Sequence, residues 1–299
     1  MTETHLDPHN IDLHYHAGQE RQIGATLDGY LEHAVVTGRK VVGLTDHLEF
    51  YIGQPPSNRK PMFTYEQCVA GLLRYRQDVE EARGRYPGLR ILFGPETHAN
   101  PRIDLRQMPQ EVVDVSDYFH SSLPFDDTSP EATTAARLQR LRDVAALRER
   151  TGKPAFICHP FRESVNWRLV KHPIADWVTA LPSRPDCDFP EELISRFFGF
   201  DVRAVARACG ELGLPIEING GTDFRIRALN LPAPLQLLWA AYRFFRDEGA
   251  GFVPGSDQHA YRAADPTRRE GRYIPWEPFD FLGVTVDRMP LVTNLLGGK

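Results

Sequence analysis

Ile11-Asp12-Leu13-His14-Tyr15-His16 alternates apolar side chains with a carboxylate and two imidazoles. Residues two apart on a strand share a face, so His14 and His16 point together into one site. Asp12 lies on that face one step earlier, where it is expected to orient a ring nitrogen. Six further segments place a potential ligand at the end of an apolar run. They are Thr45-Asp46-His47, Gly94-Pro95-Glu96, Asp117-Tyr118-Phe119-His120, Cys158-His159-Pro160, Glu217-Ile218-Asn219 and Gly255-Ser256-Asp257-Gln258-His259. The runs that lead into them, residues 41–44, 89–93, 112–115, 155–157, 214–216 and 252–253, read as strands. Enzymes built on α/β barrels collect their active-site side chains in this way, from the C-terminal ends of successive strands.

Helical patterns separate these runs. Leu27, Tyr30, Leu31, Ala34 and Val35 recur at helical spacing before Gly38. Tyr65 to Arg85 is a long amphipathic helix with Val69, Leu72, Leu73, Tyr75 and Val79 inward, and further helices are expected over 130–150, 202–212 and 235–248. The alternation predicts one α/β domain over residues 1–299, with about seven parallel strands. A proline-rich insertion at about 181–198 and a C-terminal segment, 271–299, covering the sheet edge complete this plan.

A net charge of −5 argues against a general nucleic-acid-binding surface. No stretch approaches the ~18 apolar residues of a membrane span. Residues 1–10 lack the apolar core of a signal peptide, so a cytoplasmic location is expected. Cys68, Cys158, Cys187 and Cys209 are scattered without a CxxC pair and read as reduced thiols packed like small apolar residues.

Six of the eleven histidines fall at strand ends, with Glu96 and Asp257 in equivalent places, and this clustering predicts a metal site. His5, His9, His33 and His172 read instead as structural or surface residues. Mixed imidazole and carboxylate donors suit Zn²⁺, Mn²⁺ or Fe²⁺, and the lack of cysteine ligands disfavours a structural zinc. Glu96 is the natural bridging ligand, because a carboxylate offers two oxygens.

These motifs, in this order, resemble the polymerase and histidinol phosphatase (PHP) superfamily of metal-dependent phosphoesterases. The correspondence runs through Asp12/His14/His16, Thr45-Asp46-His47, Gly94/Glu96, Asp117-Tyr118-Phe119-His120, His159-Pro160 and Gly255-Ser256-Asp257-Gln258-His259, nearly the whole chain. The resemblance implies a distorted (β/α)₇ TIM-like barrel holding two to three divalent metal ions. It implies that His14, His16, Glu96 and Asp257 hold one ion and that Glu96, His120 and His159 hold a second. His47 and His259 would share a third with a residue of the loop after His16, either Glu20 or, by ungapped counting, Gln22. The Glu217-Ile218-Asn219 stretch followed by Arg225 looks like that of histidinol-phosphatase-like members. Arg225, Arg162 and Arg21 are accordingly the candidates for holding phosphate.

The expected reaction is hydrolysis of a small phosphomonoester, histidinol phosphate among them, by a hydroxide bridging two cations. Glu96, Asp257 and His259 are the expected catalytic residues, with Asp257 or a water supplying the leaving group's proton. Two alternatives stand beside this. A metal-dependent amidohydrolase uses similar histidines but also a metal-bridging lysine after a strand, which neither Lys40 nor Lys153 matches. A non-catalytic relative would not need so complete a ligand set.

Overall fold

The computed structural model describes residues 8–17, 26–48, 64–97, 104–166, 176–258, 274–285 and 289–297. Its strands are all parallel and form two open sheets. The first runs β1 (Ile11–Tyr15), β2 (Val41–Leu44), β3 (Arg90–Phe93). The second runs β4 (Glu96–Thr97), β5 (Phe119–Ser121), β6 (Ala155–Ile157), β7 (Ile216–Asn219), β8 (Phe252–Gly255). Single bridges join the sheets at both seams, Tyr15 with Gln258 and His47 with Glu96. The parallel α/β architecture is therefore as read from the sequence, while the described ladders fall in two sheets and not in one closed ring.

Gly94-Pro95 explains the break between β3 and β4. Proline has no N–H for a ladder, and past it the chain leaves β2 as a regular partner for β5. Glu96 nevertheless keeps contact with the first sheet, since its N–H donates to Asp46 O (3.2 Å) and its carbonyl accepts from Leu48 N (3.0 Å).

The helices start and stop where their caps dictate. α2 (Tyr65–Arg85) opens with a capping box between Thr64 and Gln67. α4 (Pro130–Thr151) begins with a Ser129 cap and Pro130 and ends on Gly152 in the left-handed region (φ 65°). One expected strand is a helix: residues 112–115 belong to α3 (Gln110–Val115). Val112 and Val113 bury against α2, and both their N–H groups donate to Pro109 O. Tertiary packing outweighs the strand preference of a valine-rich run here, and the strand begins later, at Phe119. Within the proline-rich region, Glu191–Phe198 is a helix, and near the C-terminus Pro290–Gly297 packs on β8. Among the described residues no helix is long and apolar enough to cross a membrane.

Tyr118 ties the two sheets together from below the strand ends. Its ring lies against Phe156 (centroids 5.6 Å apart), and its hydroxyl donates to Leu13 O at 2.8 Å. Gly43 and Gly94 leave room for it: a Cβ on Gly43 would stand 1.9 Å from Tyr118 Oη, and one on Gly94 2.6 Å from its ring. Gly43→Ala is accordingly expected to cost about 1–3 kcal/mol of stability in urea denaturation. In a Tyr118→Phe background, where the nearest clashing atom is gone and the Leu13 carbonyl at 2.9 Å remains, the same change should cost less.

Candidate metal centre

The C-terminal ends of these strands bring together His14, His16, His47, Glu96, His120, His159 and Asp257, all at most 2% exposed. Glu96 is the hub. Its Oε2 stands 3.3 Å from His14 Nε2, 3.3 Å from His16 Nε2 and 3.2 Å from His47 Nδ1. Its Oε1 faces the other way, 2.8 Å from His159 Nε2 and 3.6 Å from Cys158 Sγ. Asp257 Oδ1 closes the first side, 3.8 Å from His14 Nε2 and 3.6 Å from His16 Nε2. His47 also stacks on His16, with centroids 4.6 Å apart.

The alternation read from β1 is present: His14 Nε2 and His16 Nε2 lie 2.9 Å apart. Asp12 does something other than expected. Its Oδ1 accepts the backbone N–H groups of His14 (3.2 Å) and Ser256 (3.0 Å), which pins β1 to the turn after β8. The ring of His14 is oriented by Glu217, whose Oε1 lies 2.9 Å from Nδ1. Glu217 Oε2 also accepts the His159 N–H at 2.6 Å. A carboxylate on one ring nitrogen fixes the tautomer and turns the lone pair of the other toward the cluster. Gly255 makes this contact possible, since a Cβ there would stand 1.8 Å from Glu217 Oε1.

Two neighbours fix the segment after β6. Arg137, fully buried under Phe200 (3.8 Å), donates to Pro160 O, Pro124 O and Ser164 Oγ. Arg162 Nη1 donates to Asp257 Oδ2 at 3.0 Å. His159 and Asp257 both hold left-handed backbone (φ 27° and 56°), a strained state for residues with a Cβ that concentrates at functional sites.

Electrostatics follow from burial and crowding. Burial alone would raise the Glu96 carboxyl, but His47 and His159 outweigh it and hold the group well below its ordinary range. Burial would likewise lower His14, yet Glu217, helped by Glu96 and Asp257, raises it well above. Burial and then His14 push His120 well below the usual imidazole value, which leaves it neutral. Burial, followed by the charges of Glu96, Glu217 and Asp257, raises the Cys158 thiol.

The residues present fit divalent cations. His14, His16 and Glu96 form one compact ligand group; Glu96, Cys158 and His159 a second; His14, His120 and Cys158 a third. In the first, the two 3.3 Å separations from Glu96 Oε2 match the edge, about 3.3 Å, of a tetrahedron with zinc bonds of about 2.0–2.1 Å. His120 is 1% exposed and neither ring nitrogen has a hydrogen-bond partner, a costly arrangement that a cation would relieve.

Glu20, Arg21 and His259 lie outside the described residues. Arg225 is half-buried on α9 (Gly220–Arg227), the helix that follows β7. Two residues of the cluster escaped the sequence reading as ligands or orienting groups. Glu217 occupied a recognised strand-end position whose partner lies across the fold. Cys158 neighboured the recognised His159 but was read as a packing residue. His33, read as structural, hydrogen-bonds Tyr15 Oη at 2.8 Å.

No protein-family model matches the chain, and no curated protein does either. A solved structure shares its fold, and a second stands beside it. A candidate histidinol phosphatase of Listeria monocytogenes superposes with a TM-score of 0.51 at 16% identity, over 83% of this chain and 95% of that one. Histidinol phosphate phosphatase of Lactococcus lactis, complexed with zinc, L-histidinol and phosphate, gives a TM-score of 0.47 at 14% identity, over 96% and 94% of the chains.

The Glu217 contact yields a prediction. Glu217→Gln keeps the side-chain shape but weakens its hold on the His14 ring, and should reduce zinc affinity about 10–100-fold in competition with a chromophoric chelator. Unchanged affinity would show that the contact orients nothing.

Proposed function

We propose that this chain is a metal-dependent phosphoesterase acting on a small phosphomonoester, with histidinol phosphate the first substrate to test. The observation that carries this reading is the division of labour at Glu96, whose two oxygens face separate sets of donors, as a bridging carboxylate requires. The fold shared with the Listeria protein supports it, because that structure is described as a candidate histidinol phosphatase. The two bridges between the sheets support the finer architecture as well, a distorted seven-fold barrel over the whole chain in which β3 and β4 are one broken strand.

In this reading His14, His16, Glu96 and Asp257 hold one cation, Glu96 and His159 a second with His120 close by, and His47 serves a third with His259 and Glu20. Divalent cations bound there would supply Lewis acidity and bring the pKa of water down toward neutrality. The chain's own residues do the rest. Glu217 and the Asp12 hydrogen bonds hold the donors in place before substrate arrives, so little reorganisation accompanies the reaction. Arg162, paired with Asp257, offers a guanidinium to phosphate oxygens, with Arg225 and Arg21 as further candidates. Asp257 stands within reach of the same region to return a proton to the leaving oxygen.

A screen of phosphate esters and amides with Zn²⁺, Mn²⁺ and Fe²⁺ tests the assignment, and turnover of phosphomonoesters alone is the expected result. Glu96→Ala and Asp257→Ala should each lose metal by elemental analysis. Their activity should fall by more than the about 10–100-fold typical of an outer-shell change. Either variant hydrolysing the ester at the parental rate would refute the mechanism. Arg162→Ala should retain metal while its kcat/KM falls about 10²–10³-fold, the scale for losing one stabiliser of transition-state charge.

A further inference from the structure

We propose that Cys158 is itself a metal ligand of this centre, acting with Glu96 and His159 beside His120 as a sulfur-containing donor group that biases the site toward zinc and away from manganese. The inference rests on the cluster holding divalent cations, and goes beyond that by assigning a ligand and a metal preference.

The placement of the thiol carries the argument. Cys158 is 0% exposed at the border of the apolar core, yet its Sγ lies 3.6 Å from Glu96 Oε1, so one side of the thiol faces a carboxylate of the cluster. Its sulfur, a Glu96 oxygen and a His159 nitrogen all lie within 4.8 Å of one another, and the sulfur is as close to nitrogens of His14 and His120. His120 is the independent sign of a ligand there, since both its ring nitrogens are buried without a hydrogen-bond partner. Among the described residues Cys68, Cys187 and Cys209 belong to no such group.

The backbone explains how two successive residues can serve one site. On a regular strand Cys158 and His159 would face opposite sides. The left-handed φ of 27° at His159 breaks the alternation, so that both side chains reach the same oxygen, Glu96 Oε1. A strained histidine is hard to account for if only one of the two were needed. Coordination breaks the S–H bond and forms a metal–sulfur bond, with the proton released to solvent and no change of oxidation state. Thiolate is a soft donor that suits zinc, whereas manganese favours oxygen and nitrogen.

X-ray absorption on the zinc-loaded wild-type protein tests this without any substitution. A sulfur scatterer at about 2.3 Å from zinc is expected beside nitrogen and oxygen at about 2.0–2.1 Å; a shell of nitrogen and oxygen alone overturns the proposal. The cobalt-loaded protein should show a thiolate-to-cobalt charge-transfer band in the near ultraviolet, lost in Cys158→Ser and kept in Cys68→Ser. A band that survives Cys158→Ser refutes it. In the same variant zinc affinity should fall at least about 10-fold while manganese affinity changes less; equal losses for both metals would also count against a sulfur ligand. These readouts are independent of turnover. A protein with bound zinc and sulfur scattering but no phosphatase activity would sink the functional reading alone, and an active one without sulfur scattering would sink only the role of Cys158.

Discussion

The carboxylate of Glu96 sits in complete burial at the junction of the two sheets, and matching its charge is the constraint the rest of the centre answers to. An unpaired carboxylate in such a place costs several kcal/mol even after the protein relaxes. Glu217 and Asp257 add two more carboxyl groups in the same buried space. Four imidazoles surround them at hydrogen-bond or near-contact distance, and Arg162 gives Asp257 a guanidinium partner. Imidazoles can balance carboxylates only by taking protons, which places several protonated rings side by side. Divalent cations resolve that conflict more economically, since one cation answers two carboxylate charges and lets every ring stay neutral. Under the proposed function, metal binding and folding of this region would therefore be linked through the same charges.

Holding so many polar groups in register demands a rigid frame, and the frame is built from small details. Bare glycines at 43 and 94 admit the Tyr118 ring beneath the site, and Gly255 admits Glu217 beside His14. Asp12 spends its carboxylate on backbone N–H groups, tying the first strand to the last turn. Arg137 does the corresponding service for the segment after β6, which carries Cys158, His159 and Arg162. None of these groups needs to meet a substrate, yet each sets where a donor atom lies, and donor positions decide whether a cation is held.

Much of this was legible in the chain itself, and the division between what was and was not has a physical basis. Period-two alternation placed His14 and His16 on one face, and strand-end positions picked out His47, Glu96, His159 and Asp257, because local geometry alone determines those directions. Helical spacing of apolar residues placed the long helices over 65–85 and 130–150 for the same reason. What escaped depends on partners distant in sequence. Asp12 and Glu217 are both carboxylates near His14, and only the placing of β8 between β7 and the first strand, with Gly255 leaving room, decides which one reaches the ring. Residues 112–115 carry a strand-like composition that their burial against α2 overrides. Cys158 has no local mark that separates a ligand from a packing residue.

The two departures from regular backbone at His159 and Asp257 show how the centre is assembled against local preference. A strand delivers only every second side chain to a given face, so a cluster this dense cannot be filled from eight short parallel strands by alternation alone. Turning the chain into the left-handed region at those positions recruits donors that alternation would send elsewhere. Each such residue costs of the order of 1–3 kcal/mol when it is not glycine. The surrounding hydrogen bonds, Glu217 to the His159 N–H and His14 O to the Asp257 N–H, are what hold these conformations. Replacing either residue by one that relaxes the backbone would thus move a donor atom as well as remove strain. Under the proposed function stability and metal affinity would be set in opposition at these two points, since the strained backbone fixes where both side chains stand in the cluster.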